Sequence, residues 1–121
     1  MQITTPVADV VGRYLDLSSV ELKLTAQNMA NVDTPGYRTV GFDFAAEMGR
    51  SLEQLSQGSG SVAAPVVEPV GGLLERPDGN NVSMDREGLK MAEAQLQFRT
   101  GVELLRNEFT RVMDAIHEDQ K

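Results

Sequence analysis

Apolar side chains recur at helical spacing along the first thirty residues of the chain. Thr5 is a favourable N-cap residue, and Pro6 suits the first position of a helix, where its missing N–H is not needed. The pattern fades at Asn28 and Asn31, so we predict one long helix between these points. Its apolar positions form a broad face: Val11, Leu15, Leu17, Leu22, Leu24 and Met29.

A second long helix is predicted from about residue 84 to residue 118. Ser83 is its candidate N-cap, and Asp85 and Glu87 place negative charge at the positive end of the helix dipole. Two rows spaced by seven residues predict a heptad seam, which by default forms an internal or a homo-oligomeric coiled coil. They are Met91, Phe98, Leu105 and Val112, and beside them Gln95, Val102, Phe109 and Ile116. Apolar residues off this seam are candidates for contact with neighbouring chains: Leu89, Leu96, Leu104 and Met113.

The segment between the two helices has a different character. Apolar residues between positions 44 and 55 predict a short amphipathic helix. Residues 57–61 are rich in Gly and Ser, which is typical of a flexible linker. Residues 62–74 carry two prolines and a Gly-Gly pair among valines, which favours an extended, strand-like or disordered stretch.

These patterns predict a mainly α fold in which the long N- and C-terminal helices pair as an antiparallel coiled-coil hairpin, with a weakly ordered or partly β middle segment. The chain is accordingly divided into residues 1–37, residues 38–83 (linker-like at 57–74) and residues 84–121. Two helices alone bury little apolar surface, so we expect the hairpin to need partners.

Composition and charge narrow the class of function. The chain has 121 residues and a formal net charge of −7, which makes nucleic acid and anionic membranes unlikely partners. No apolar run is long enough to cross a membrane, and the N-terminus lacks the pattern of a cleaved signal peptide. Cysteine is absent and His117 is the only histidine, so no catalytic residue, metal site or cofactor is expected.

The end of the first helix carries a motif, called here the first signature (residues 28–37). Amides can cap the closing helix, and Pro-Gly suits a type II turn. The run resembles the N-terminal signature of the flagellar rod, hook and related axial proteins. The matching residues are Asn28, Asn31, Thr34, Pro35, Gly36 and Tyr37.

A second motif precedes the C-terminal helix and is called the second signature (residues 76–87). It is similar to the corresponding segment of proximal rod subunits within the same family. The residues singled out in it are Arg76, Pro77, Asp78, Gly79, Asn80, Asn81 and Asp85.

The resemblance implies a non-catalytic structural subunit that self-associates in a helical tube, transmits torque, encloses the export channel and is required for motility. Implied partners are the other rod subunits, the adaptor that joins rod to inner-membrane ring, and the type III export gate. The implied location is the periplasmic rod of the basal body, reached without a cleaved signal. The alternative is a soluble helical adaptor or export chaperone of the flagellar type III system. The acidic charge and the lack of a signal-peptide pattern suggest this alternative.

Overall fold

Local sequence signals place the helix boundaries of this protein. The computed structural model describes residues 5–58 and 62–120. The elements in chain order are α1 (Pro6–Ala30), β1 (Val40–Gly41), α2 (Phe44–Ser56), β2 (Glu68–Pro69) and α3 (Met84–Glu118). The predicted mainly α fold is confirmed, with two long terminal helices and one small sheet between them.

Each helix begins at a side chain that accepts a hydrogen bond from an otherwise unpaired backbone N–H. The Thr5 hydroxyl accepts from the Ala8 N–H at 3.1 Å, and Pro6 follows at the first helical position. Ser83 caps α3 in the same way, by accepting from the Arg86 N–H at 3.3 Å. Both N-caps were predicted from the sequence, and both satisfy donors that the helix itself leaves open.

α1 and α3 pair in antiparallel orientation. The start of α1 meets the last third of α3, where the Thr5 hydroxyl donates to Glu108 Oε1 at 2.9 Å. The end of α1 meets the start of α3, where Asn28 Nδ2 donates to Glu87 Oε2 at 3.1 Å. The predicted antiparallel hairpin is therefore confirmed.

The face of α3 that α1 covers lies beside the predicted heptad seam. The row at the centre of the contact is Glu87, Ala94, Gly101 and Glu108. Of these, Glu87, Ala94 and Gly101 are buried, and the Glu108 side chain is 12% exposed. This row lies one residue before the predicted Gln95, Val102, Phe109 and Ile116 row. Small side chains let the helices approach closely, whereas Phe109 and Ile116 remain 59% and 38% exposed.

α2 and the two-stranded sheet, called here the ribbon, cover the flank of α1. α2 packs on α1, with the Tyr14 and Phe44 rings edge to face at a centroid distance of 5.5 Å. β1 and β2 pair antiparallel, with Val40 opposite Pro69. The predicted middle is thus partly β, and the predicted short amphipathic helix is α2. The predicted linker at residues 57–61 lies partly outside the described residues.

Residues 62–70 are held against the helices largely by polar contacts. The Arg13 guanidinium donates from Nε to the Ser51 hydroxyl at 2.7 Å and from Nη2 to the Ala63 carbonyl at 2.8 Å. The buried Glu47 carboxylate accepts from the Val66 N–H at 3.1 Å. These bonds satisfy the backbone of a segment whose own valines stay half exposed.

Gly101→Ala tests the close approach of α1 and α3. A Cβ at this position would lie 2.6 Å from Leu15 Cδ2 and 3.2 Å from Tyr14 Cδ1. Overpacking costs about 1–3 kcal/mol, which outweighs the ~1 kcal/mol that Ala gains over Gly in a helix. We expect a lower free energy of unfolding in a urea titration.

Gly88→Ala is the matched control, because it lies in the same helix with no atom within 4 Å of its would-be Cβ. This variant should be stabilised by up to ~1 kcal/mol. Equal effects of the two substitutions would contradict the observed position of α1 on α3.

Candidate functional site

The two signatures lie against each other at the end of the hairpin where α1 ends and α3 begins. The Gly36 N–H donates to the Asp78 carbonyl at 2.9 Å. A Cβ on Gly79 would lie 3.4 Å from Gly36 Cα, and both glycines have positive φ, 76° and 86°. Glycine suits this pair of turns because it adopts positive φ without strain and lets the backbones approach.

Asn80 of the second signature fastens the end of α1. Its fully buried amide donates to the Asn31 and Thr34 carbonyls, both at 2.9 Å. Its Oδ1 accepts from the Val82 N–H at 2.8 Å. Carbonyls beyond the last turn of a helix have no partner within it, so an amide from a distant segment supplies one.

Asn28 of the first signature is the most fully bonded side chain of this junction. Its Nδ2 donates to the Val40 carbonyl at 2.9 Å and to Glu87 Oε2 at 3.1 Å. Its Oδ1 accepts from the Tyr37 hydroxyl at 2.9 Å and from the Val40 N–H at 3.1 Å. Two donors and two lone pairs are all that an amide has, and all are used here.

The remaining signature residues support the same junction or lie on its surface. Asn81 Oδ1 accepts from the buried Thr39 N–H at 2.7 Å. Asn31 Nδ2 donates to the Gln27 carbonyl at 2.8 Å, and Oδ1 accepts from the Thr34 hydroxyl at 3.0 Å. Arg76 Nη2 donates to the Val32 carbonyl. The exposed members are Thr34, Pro35, Gly36, Arg76, Pro77, Asp78 and Asp85.

Glu87 is a member of the junction that sequence reasoning interpreted only as a charge at a helix start. It is fully buried, and its carboxylate is paired with the Arg86 guanidinium at 2.5 Å. A buried carboxylate needs such partners, because an isolated one is strongly disfavoured in an apolar interior. The available signal was its spacing of seven from Ala94, which places both on one helix face.

The predicted assembly positions divide between buried and exposed surfaces. Val11 and Leu17 are buried in the hairpin. The partly exposed positions are Leu15, Leu22, Leu24, Met29, Met91, Val102, Leu105 and Val112. The exposed positions are Phe98, Phe109 and Ile116. Several of these residues line an apolar groove of about 120 Å³ between the start of α1 and the last turns of α3.

A cavity of about 260 Å³ with a mixed polar and apolar lining adjoins the junction, and Glu21 is among the residues that line it. Glu21 Oε1 lies 4.0 Å from the Lys90 ammonium, and Oε2 is buried with no hydrogen-bond partner among the described residues. Burial raises the pKa of the Glu21 carboxyl. The Glu93 and Glu87 carboxylates also raise this pKa, while the Lys90 and Arg86 charges lower it.

The polar side chains of the junction hold separate segments of the chain together by hydrogen bonds. Across residues 5–58 and 62–120, no three His, Cys, Asp or Glu residues are grouped as a metal site would require. No helix in the same ranges is long and apolar enough to cross a bilayer. The buried amides fix the relative positions of helix ends, turns and ribbon.

Comparisons with known proteins agree with the two signatures. No family model matches the chain. The rod protein FlgB of Salmonella typhimurium is 29% identical, over 84% of this chain and 86% of its own length. FlgB of Escherichia coli is 28% identical with the same coverage, and FlgB of Borrelia hermsii is 27% identical over 79% and 84%.

The resemblance inferred from the signatures is thereby confirmed: the chain is similar over most of its length to proteins of the flagellar basal body rod. Within that class, the protein that it resembles is the flagellar basal body rod protein FlgB.

Asn28→Asp tests the junction with almost no change of shape. The substitution removes both amide donors and places a carboxylate 3.1 Å from Glu87 Oε2. Losing a buried partner costs about 1–3 kcal/mol, and like charges add to this, so we expect a loss of at least ~2 kcal/mol at pH 7. The loss should shrink as the pH falls and the introduced carboxylate takes up a proton, as measured by urea unfolding at pH 7 and pH 5.

Asn107→Asp is the control, because Asn107 is exposed on the same protein. It should change stability by less than ~0.5 kcal/mol. If the two variants were equally stable, Asn28 would not be the buried link described here.

Glu21 should make stability fall as the pH rises. Its folded pKa lies above the unfolded value, so its favourable contribution is complete below the unfolded pKa and is lost as the pH rises through the folded pKa. Glu21→Gln should flatten this part of the profile of unfolding free energy against pH. Glu103→Gln, at an exposed position of α3, should leave it unchanged. Parallel profiles for native protein and Glu21→Gln would contradict the assignment.

Proposed function

We propose that this chain is a structural subunit of the proximal rod of the bacterial flagellar basal body. It packs helically with other rod proteins, transmits torque and encloses the export channel, and motility requires it. The observation that carries the proposal is the junction of the two signatures, because the residues that resemble the axial family are those that bond to each other. The similarity to FlgB over most of both chains supports the same role.

The surface of α3 supports assembly. Leu89 and Leu96 are 70% and 67% exposed, and Phe109 and Met113 are also more than half exposed. Phe109 and Met113 line the same apolar groove, and an exposed apolar patch on a small protein indicates an interaction site. In an open helical assembly such surface is covered by heterologous contacts with neighbouring subunits.

The three parts of the chain have separate roles in this proposal. Residues 1–37 and 84–121 form the assembly helices with their signatures, and residues 38–83 form a surface element beside them. Partners are other rod subunits and copies of the same chain, the adaptor to the inner-membrane ring, and the export gate. The subunit has no catalytic role, and it reaches the periplasmic rod without a cleaved signal peptide.

The alternative function, a soluble adaptor or export chaperone of the type III system, is not favoured. The relatives compared above are named as rod proteins of the basal body. Fractionation separates the two functions, because a rod subunit is found in purified basal bodies and an adaptor stays in the cytoplasm.

Phe109→Asp tests the assembly role without disturbing the hairpin. Because Phe109 is 59% exposed, the charge should leave the helical circular dichroism and the unfolding midpoint nearly unchanged. In a deletion strain, which we expect to form the membrane ring without rod or hook, this variant should fail to restore swimming. Burial of an unpaired charge between subunits is the physical reason.

Asn107→Asp serves as the matched control, since it adds the same group at an exposed polar position two residues away. It should restore swimming. Intact hooks in the deletion strain would refute the rod function itself. Normal swimming with Phe109→Asp would refute only the role of this face.

A further inference from the structure

The position of α1 on α3 is not the one that hydrophobicity favours. The Met91 row is flanked on one side by Gln95, Val102, Phe109 and Ile116, and on the other by Glu87, Ala94, Gly101 and Glu108. The first flank has three large apolar residues, and the second has two carboxylates, one Ala and one Gly. α1 nevertheless covers the second flank.

Moving α1 from the covered flank to the apolar flank corresponds to a rotation of α3 about its own axis. Successive residues of an α-helix are separated by 100°, so the observed centre of contact lies about 70° around the helix from the centre of the heptad seam. In the observed rotation Phe109 lies at the edge of the groove beside Thr5 and Ala8. With α1 placed on the heptad seam instead, Phe109 would face α1.

Two polar contacts, called here the end contacts, occur at opposite ends of this helix pair. At one end Asn28 donates to Glu87, and at the other Thr5 donates to Glu108 at 2.9 Å. Each carboxylate also has an arginine partner on α3: Arg86 for Glu87, and Arg111 for Glu108 at 3.3 Å. The Glu87 and Glu108 side chains are only 1% and 12% exposed.

We propose that Glu87 and Glu108 are positioning residues that fix the rotation of α3 and hold the Val102, Phe109 and Ile116 row away from α1. Rotating α3 toward that row would break both end contacts and leave the Asn28 amide and two carboxylates to find new partners. Buried polar pairs of this kind select one packing arrangement among several, and often add little net stability. Gly101 contributes because a Cβ at this position would lie 2.6 Å from Leu15 Cδ2, so the observed rotation favours glycine there.

The rotation of α3 does not depend on the proposed rod function. Only the purpose of the exposed row, which is contact with neighbouring subunits, rests on that function. A measurement of side-chain exposure in the isolated protein therefore tests the rotation, while swimming tests the use of the row.

The chain has no tryptophan, so Phe109→Trp provides a single fluorescent reporter. Because position 109 is exposed, we expect the tryptophan of this variant to show red-shifted emission and strong quenching by acrylamide. Both values are extrapolated to low protein concentration. Adding Glu87→Leu and Glu108→Leu should shift the emission to shorter wavelength and reduce the quenching constant, with an unfolding midpoint no lower than that of the parent. The reason is that α3 then turns its more apolar flank toward α1.

Two further variants complete the test. Glu87→Gln with Glu108→Gln keeps acceptors for the end contacts, so the tryptophan should stay exposed. Glu93→Leu with Glu103→Leu adds the same side chains at exposed positions of α3, and the tryptophan should again stay exposed.

The proposal is overturned if the Glu87 and Glu108 leucine variant folds with its tryptophan as exposed as in the parent. It is equally overturned if that variant is unfolded, because the apolar flank would then be no alternative to the observed one. Burial of the tryptophan in either the glutamine pair or the Glu93 and Glu103 pair would also overturn it.

Discussion

The buried amide of Asn28 is the contact on which the arrangement of this protein depends. It joins the end of α1 to three other parts of the chain: the turn at Tyr37, the backbone of Val40 in β1, and Glu87 in α3, which is 59 residues away. Removal of water strengthens these bonds and also makes each of them costly to leave unmade. One side chain thereby fixes the path of the chain out of α1 and the height at which α3 begins.

The interior around this amide is more polar than is usual for a helical protein. Among the described residues, four hydrophobic side chains are buried, namely Val11, Leu17, Val82 and Ala94. Nine polar or charged residues are buried as well, and Asn80 and Glu87 are fully enclosed. Little apolar surface is therefore removed from water within one subunit, and hydrogen bonds determine the shape. In the proposed rod assembly, such a subunit gains further burial when neighbours cover α3.

Local chemistry was sufficient to predict much of this structure. Thr5 and Ser83 act as caps because a hydroxyl before a helix satisfies its free N–H groups, a property of a few neighbouring residues. The antiparallel pairing and the partly β middle followed from periodicity and from the positions of Gly and Pro. Asn80 was noticed as part of a turn, but its bonds to Asn31 and Thr34 span more than forty residues and have no local signal.

The face of α3 was not predictable from hydrophobicity, and the reason bears on function. An apolar residue buried against α1 is no longer available to a neighbouring subunit, so the most apolar row cannot serve both contacts. The structure covers Ala94 and Gly101 within the chain and leaves Phe109 outside. Glu87 and Glu108 lie in the covered row with partners on α1, at positions where leucine would have increased apolar burial. A sequence that only maximised the stability of one subunit would not choose carboxylates there, whereas a sequence that reserves a face for assembly has a physical reason to do so.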